Sequence, residues 1–297
     1  MGMSTKAPTL RQFQAQFPTE ESCLDHLMRI RFGDRHDCAK CGKNARFYRV
    51  STRKVFSCEH CGNQIAPMAG TPFERTRTPL RDWFFVMFLF TTSRNGVAAK
   101  EVERQLGVTY KTAWRMCHEI RKYMGTVDGD NPLGGLGRTV QIDETFIGGK
   151  HRRVSHGGDP SLKKTTVFGM LEVGGEVVTR VVSDRRSGTL LPIIRATVKR
   201  PSMIHTDEHK AYGGISTLGY RHEAVNHSAL EYVCAKTGAT TNALEGFWAQ
   251  LKRGINGTHI HVSAKHLPKY LGEFEFRHNR RDRPTTMLAE LMISFAR

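Results

Sequence analysis

The 297-residue chain has no apolar run long enough to cross a bilayer. Its most apolar stretch, Trp83 to Phe90, is short and bracketed by Arg81, Asp82 and Thr91, so it reads as a buried helix. Met1 to Gln16 lacks a basic segment leading into an apolar core, which argues against a secretory signal and for a cytoplasmic protein. There is no internal repeat and no low-complexity tract. Acidic residues are scarce, 28 against 45 Lys and Arg, giving a net charge of +17. Such a surface attracts polyanions, because phosphates met by Lys and Arg release their counterions. No Lys/Arg-rich amphipathic helix stands out, so a membrane-surface role is set aside and no membrane partner is expected. Hydrophobic residues at 39% fit an ordinary globular protein, with length enough for two or three modules.

Seven cysteines in a reducing compartment ask for an explanation other than disulfides. Cys38-Ala-Lys-Cys41 and Cys58-Glu-His-Cys61 are two C-x₂-C knuckles, each followed by a glycine, Gly42 or Gly62, suited to a tight turn. Between them, Phe47–Val50 and Lys54–Ser57 read as two short strands. Knuckle, hairpin, knuckle is the plan of a zinc ribbon, with Cys38, Cys41, Cys58 and Cys61 around one structural Zn²⁺. A redox C-x-x-C needs one such pair and a surrounding βαβ pattern, which is missing. Cys23, Cys117 and Cys234 read as core or half-buried residues.

Thr9 to Met28 has helical character and is divided by Pro18. After the ribbon, a helix starts near Pro79. Val97–Gln105, a turn at Leu106-Gly107-Val108, and Thr109–Met124 then read as helix, turn and helix, with Thr109 as N-cap. Tyr110, Lys111, Thr112 and Arg115 are placed to face a DNA groove, with Ala113, Trp114, Cys117 and Ile120 packing inward. The plainer alternative is a generic helical hairpin. Asp128–Gly137 is rich in Gly, Asp, Asn and Pro and reads as a linker. Beyond it come strands at Val140–Ile147, Thr165–Val173 and Val177–Ser183, the last two joined as a hairpin through Gly174-Gly175. A helix at Leu190–Val198, a strand at Met203–Asp207, and helices over 242–255 and 263–278 follow. This order matches a ribonuclease H-like fold.

Three acids stand in ordered apolar surroundings: Asp143 and Asp207 at strand ends, and Glu245 in a helix with apolar residues at helical spacing. Such carboxylates can converge on hard divalent cations, and a pair of Mg²⁺ ions drives phosphoryl transfer on nucleic acids. Only a fold brings them together, since they lie 64 and 38 residues apart. On residues alone, three unrelated surface acids stay open as an alternative. Glu144 and Glu208, beside the two aspartates, point to the opposite strand face by alternation and read as supporting or solvated acids.

The zinc ribbon, the helix pair, Ile142-Asp143-Glu144-Thr145-Phe146-Ile147-Gly148-Gly149-Lys150, His205-Thr206-Asp207 with Tyr212, and Asn242 through Arg253 follow in that order. The tail from Gly257-Thr258-His259 to Asn279-Arg280-Arg281 extends the pattern. Together these segments resemble the zinc-ribbon DDE transposases of bacterial insertion sequences, the ISXO-type group, over about residues 15 to 295. The resemblance implies a multidomain α+β chain. Its parts would be an N-terminal helix and zinc ribbon (1–78), a helix-turn-helix region (79–127), a linker (128–137) and a ribonuclease H-like α/β catalytic domain with C-terminal helices (138–297). It implies Asp143, Asp207 and Glu245 as catalytic ligands of Mg²⁺ or Mn²⁺, with Asn242 as the alternative third ligand.

Implied as well are double-stranded DNA (element ends and target) as partner, a dimer or higher oligomer on DNA, and nucleoid association. Lys252 and Arg253 are candidates to hold the DNA end, against a solvated basic helix face. The basic stretches Lys150–Arg153, Lys163-Lys164 and Arg277–Arg283 would contact phosphates, and His205, His259 and His261 read mainly as packing residues. The main rival is a catalytically silent, transposase-derived DNA-binding regulator. A metal-dependent nuclease without strand transfer is the second.

Overall fold

The structure, a computed structural model, describes residues 6–129, 131–148, 164–225, 233–234 and 237–296. The chain forms two compact units, one from Met1–Ser93, Ala99–Tyr123 and Asp282–Arg297, the other from Arg94–Ala98 and Met124–Arg281. No helix among the described residues is long and apolar enough to cross a membrane.

In the first unit, α1 (Leu10–Gln16) and α2 (Glu20–Phe32) each begin with a capping box, on Thr9 and Thr19. They bury Phe13, Phe17, Cys23, Leu24, Leu27 and Met28. The ribbon follows as β1 (His36–Asp37) paired with β2 (Asn44–Ala45), then β3 (Phe47–Arg49), β4 (Phe56–Cys58) and β5 (Gln64–Ile65) in one antiparallel sheet. The apolar helix is α3 (Leu80–Thr92), whose first backbone N–H groups, Leu80 and Arg81, donate to the Glu20 carboxylate at 2.9 Å. An anion at a helix N-terminus satisfies orphan donors and the helix dipole together. The C-terminal helix α9 (Met287–Ala296), grouped with the C-terminal part on sequence, packs in this unit instead. Phe295 is fully buried among Phe73, Trp83 and Tyr123, with ring centroids 5.5, 6.3 and 4.1 Å away.

Helices α4 (Ala99–Leu106) and α5 (Tyr110–Asp128) are joined through Gly107 at φ +65°. The Thr109 hydroxyl accepts from the Thr112 N–H at 3.3 Å, the expected N-cap. One detail departs from the sequence reading. Ala113, Cys117 and Ile120 are buried, but Trp114 lies 37% exposed and stacks on His118 at 3.8 Å. Met116 takes the inward position, because the apolar stripe of α5 runs through 113, 116, 117, 120 and 124.

The second unit is built on a five-stranded sheet in the order β12-β11-β7-β8-β9. Strands β7 (Thr139–Ile147), β8 (Thr165–Glu172) and β9 (Val177–Val182) form an antiparallel meander. After α6 (Ser187–Thr197), β11 (Met203–Asp207) returns parallel to β7, and β12 (Arg221–Val225) lies parallel to β11 at the edge. The strand β12 escapes the sequence reading, because Arg221-His222-Glu223 leaves it almost no apolar signal.

Apolar layers cover both faces of the sheet, as expected of strands buried on two sides. On one, Val140, Ile142, Phe168 and Met170 pack with Leu190 and Ile194 of α6. On the other, Val167, Leu171 and Val177 pack with α7 (Asn242–Arg253) and α8 (Leu267–Asn279).

The segment read as a linker is largely structured. Asp128 ends α5 and is buried against Arg280, whose Nη1 donates to it at 2.5 Å. Leu133–Gly134 (β6) pairs parallel with Val198–Lys199 (β10), and the Gly134 N–H donates to Glu172 at 2.8 Å. Glycine and proline content marks where chain direction changes, not whether the chain is packed.

Candidate active site and metal centres

The four knuckle cysteines converge. All their sulfurs lie within 4.8 Å of one another, with Cys38–Cys61 at 3.5 Å and Cys41–Cys58 at 4.0 Å. Tetrahedral zinc with bonds of about 2.3 Å separates its sulfurs by roughly 3.8 Å, so the set fits that ion. Each knuckle is closed by a glycine at φ +70°, with Gly42 N–H donating to Cys38 O and Gly62 N–H to Cys58 O. The backbone N–H groups of Cys41 and Lys40 aim at the Cys38 sulfur and pull its thiol down to about 6, toward the thiolate that a metal takes.

The second cluster sits where the central sheet opens. Strands β7 and β11 are paired from Thr139 with Met203 only as far as Gln141 with His205. Beyond that point Asp143 and Asp207 face a notch, and a carboxylate oxygen of each comes within 4.8 Å of the other. Glu144 joins them in the same group. β7 stays paired with β8 through Asp143 and Glu144 to Ile147, so alternation still holds along the strand, and the Glu144 carboxylate reaches the group from the other face. Burial pushes the Asp143 carboxyl up to about 6, and the carboxylates of Asp207 and Glu245 push the same way. Burial likewise raises Glu144 to about 7, with Asp143 and Asp207 adding and the Tyr212 phenol opposing. Half-buried acids crowded this closely are short of positive charge, and their hard oxygen donors fit a divalent cation.

Supporting contacts fix the aspartates. The Trp248 indole N–H donates to Asp143 Oδ2 at 3.1 Å, and the His209 N–H donates to Asp207 Oδ1 at 3.0 Å. Gln141, buried on β7, accepts from Ala243 and Leu244 N–H at 2.9 and 3.1 Å. It thereby pins the first turn of α7 to the strand that bears Asp143. Glu245, in that first turn, accepts from the Thr241 hydroxyl at 2.9 Å and lies outside the group of three. Its charge nonetheless reaches Asp143. Asn242 is exposed at the start of α7.

Trp248 and Gln141 were not singled out from sequence. Their signal is a buried polar group on an otherwise apolar strand or helix face, which needs the fold to be seen. Gly169 belongs with them. It pairs with Asp143 across the β7–β8 ladder, and a Cβ there would sit 2.4 Å from Trp248 Cζ2. Gly169→Ala is therefore expected to push the indole off Asp143 and destabilise the fold by about 1–3 kcal/mol, the usual range for overpacking. A thermal melt and a Mn²⁺ titration would check it, with both the midpoint and the affinity expected to fall.

The other expected contact residues fall into two groups. Tyr110, Lys111 and Arg115 are exposed on one side of α5 with Thr112 half-buried beside them, and Lys252 and Arg253 are exposed in the last turn of α7. Arg277 and Arg280, by contrast, are buried and bound to Glu273 and Asp128, so they do not form a phosphate-contacting surface. Thr179 N–H and hydroxyl donate to the buried Glu275, tying α8 to β9 in the same network. Lys150–Arg153 and Lys163 lie outside the described residues, and Lys164 is exposed. His205 approaches Glu223 at 3.8 Å and Thr240 N at 3.3 Å, and His259 packs edge-on against Tyr270. His261 is exposed.

Residues 132–279 match the ISXO2-like transposase domain, and residues 18–64 match the transposase zinc-ribbon domain. The chain belongs to the ISXO2-like transposase family. A DDE transposase domain implies a divalent metal, and the ribbon's cysteine cluster is that of a structural zinc site. Among similar proteins is an uncharacterized protein in transposable element ISH50 of Halobacterium salinarum. It is 25% identical over 279 residues, spanning 88% of this chain and 91% of the relative. An uncharacterized transposase-like protein of Haemophilus influenzae is 35% identical over 107 residues, covering 35% of this chain and 81% of the relative. Among solved structures, a pre-cleavage Mos1 transpososome matches 72% of this chain and 79% of that one, at 12% identity and a TM-score of 0.26.

Proposed function

We propose that this transposase binds the terminal inverted repeats of its insertion sequence, cleaves the element ends and joins the freed 3′-hydroxyl to target DNA. The observation that carries this reading is the convergence of Asp143 and Asp207 at the open end of the β7–β11 pair, and the charge of Glu245, in the first turn of α7, reaching Asp143 supports it. The meander followed by two parallel strands supports a ribonuclease H-like catalytic domain. Asp143, Asp207 and Glu245, or Asn242 in its place, would hold Mg²⁺ or Mn²⁺. Divalent ions so held would supply the Lewis acidity that in-line displacement at a phosphodiester needs.

The chain's own residues do the rest. Trp248 and His209 hold the two aspartates in place, and Gln141 keeps α7 in register with them. Lys252 follows Glu245 by about two helical turns on the same face and is placed to bind the phosphate backbone of the held end. Reading of the repeats is assigned to Tyr110, Lys111, Thr112 and Arg115 on α5, the second helix of a helix-turn-helix. Two ends must be brought together, so the working form is a dimer or higher oligomer on DNA, at the nucleoid of a bacterial cytoplasm.

The test uses purified protein, Mg²⁺ or Mn²⁺, and labelled DNA from the ends flanking its own gene. Nicking at the end followed by a joined product is expected. Hydrolysis without joining would make it a nuclease. Binding without any cutting would make it a silent regulator derived from a transposase.

A further inference from the structure

Glu144 is left over by the three-ligand reading, yet its surroundings do not suit a supporting acid. Its carboxylate belongs to the group with Asp143 and Asp207 whose oxygens lie within 4.8 Å of one another. Its Oε1 is buried and has no hydrogen-bond partner. No salt bridge to Glu144 occurs among the described residues, and the cation that senses it, Arg185, lies over the Phe146 ring at 5.1 Å. Beside it stands Tyr212, 1% exposed, at the short turn that follows β11. The Tyr212 hydroxyl is buried and falls short of full hydrogen-bond geometry, but it acts on the Glu144 carboxylate as a weak donor and also feels the charge of Asp207 and Asp143.

A solvated acid would turn its oxygens to water, and a structural one would be matched by a donor. Here a carboxylate oxygen and a phenol hydroxyl, both buried and too poorly aligned to satisfy one another fully, adjoin two further carboxylates. What that arrangement lacks is a cation. An ion in the notch would neutralise the carboxylates, satisfy the orphaned oxygen and leave the phenol a fixed anion to face.

We propose that Glu144 is a further ligand of the divalent cation held by Asp143 and Asp207, and that Tyr212 positions its carboxylate. The assignment rests on the reading of this notch as the divalent-metal site. It extends that site from the strand-end aspartates to a third acid on the same strand.

The experiment is Mn²⁺ binding to the full chain without DNA, followed by electron paramagnetic resonance of the free ion, to which the zinc of the ribbon is silent. Wild type is compared with Glu144→Gln, Tyr212→Phe and Asp143→Asn. Glu144→Gln is expected to weaken Mn²⁺ binding at least about tenfold, as loss of a directly charged ligand does, and Tyr212→Phe a few-fold. If Asp143→Asn weakens binding while Glu144→Gln leaves it unchanged, the role of Glu144 is overturned and the metal site stands. If none of the three variants alters binding, the notch is not the metal site.

A second measurement needs no variant. Carbodiimide labelling of wild-type protein, read by peptide mass spectrometry, is expected to modify Glu144 in the absence of Mn²⁺ and to spare it when Mn²⁺ is bound. Equal labelling in both conditions would overturn the proposal even if Glu144→Gln failed to fold.

Discussion

Asp207→Asn is expected to lower end cleavage by more than about a thousandfold, equivalent to roughly 4 kcal/mol of transition-state stabilisation. The substitution is nearly isosteric, and the amide oxygen keeps the hydrogen bond from the His209 N–H. What it removes is one negative charge at the point where two strand-end aspartates meet. Gel-based cleavage of labelled ends checks the rate, and a binding assay with the same DNA is expected to show little change, since the residues proposed to face the groove sit on α5.

The same site predicts a pH response. Asp143 and Glu144 are raised to about 6 and about 7, so in the metal-free protein they hold protons at pH values where ordinary carboxyls have lost them. Protons compete with the cation, and Mn²⁺ affinity is expected to fall as pH drops from about 7.5 through 6. The sign for folding is the reverse. Without metal these two groups favour the folded state below their unfolded values near 4, and that contribution is lost as pH rises through 6 to 7. A melting curve in chelator, compared between wild type and Asp143→Asn, is expected to show the difference shrinking in acid.

Cys58→Ser is expected to have the larger structural effect. The ribbon strands are two or three residues long, and the cluster of buried side chains at their centre is Cys38, Ala45 and Cys58, with Phe47 packed against it. So little apolar burial does not offset the entropy of ordering the segment, and the metal must supply the difference. Structural zinc sites contribute on the order of 10 kcal/mol to folding in small domains. The variant should lose its zinc by metal analysis, and residues 36–65 should become open to protease. Mn²⁺ binding at Asp143 and Asp207, which lie in the other compact unit, is expected to persist.

Much of this was legible in the residues, for different reasons in different places. The zinc site was readable because its ligands come in pairs separated by two residues, and the paired glycines report the turn. Asp143 and Asp207 were readable because each follows an apolar strand pattern. Alternation along β7 did not keep Glu144 from the aspartates, because an oxygen of its carboxylate still comes within 4.8 Å of theirs beyond the end of the β7–β11 ladder, which is a tertiary fact. Trp114 was assigned inward on hydrophobicity alone, whereas its neighbour Met116 fits the stripe of α5. Arg277 and Arg280 looked like surface charge, and their acid partners are Glu273, one helical turn away, and Asp128, far off in sequence. The contacts of Gln141 and Trp248 cross more than a hundred residues, beyond any local pattern.

The way the chain is shared between its compact units limits how it can be divided. A fragment starting at residue 138 would keep Asp143, Asp207 and Glu245 but leave behind Arg94–Ala98 and residues 124–137, which belong with them. It would lose Asp128, the buried partner of Arg280, and β6, the partner of β10. It would also carry α9 with Phe295 stripped of Phe73, Trp83 and Tyr123, turning a core aromatic into an adhesive surface. Insolubility of such a fragment would reflect this interleaving of segments and would carry no information about catalysis.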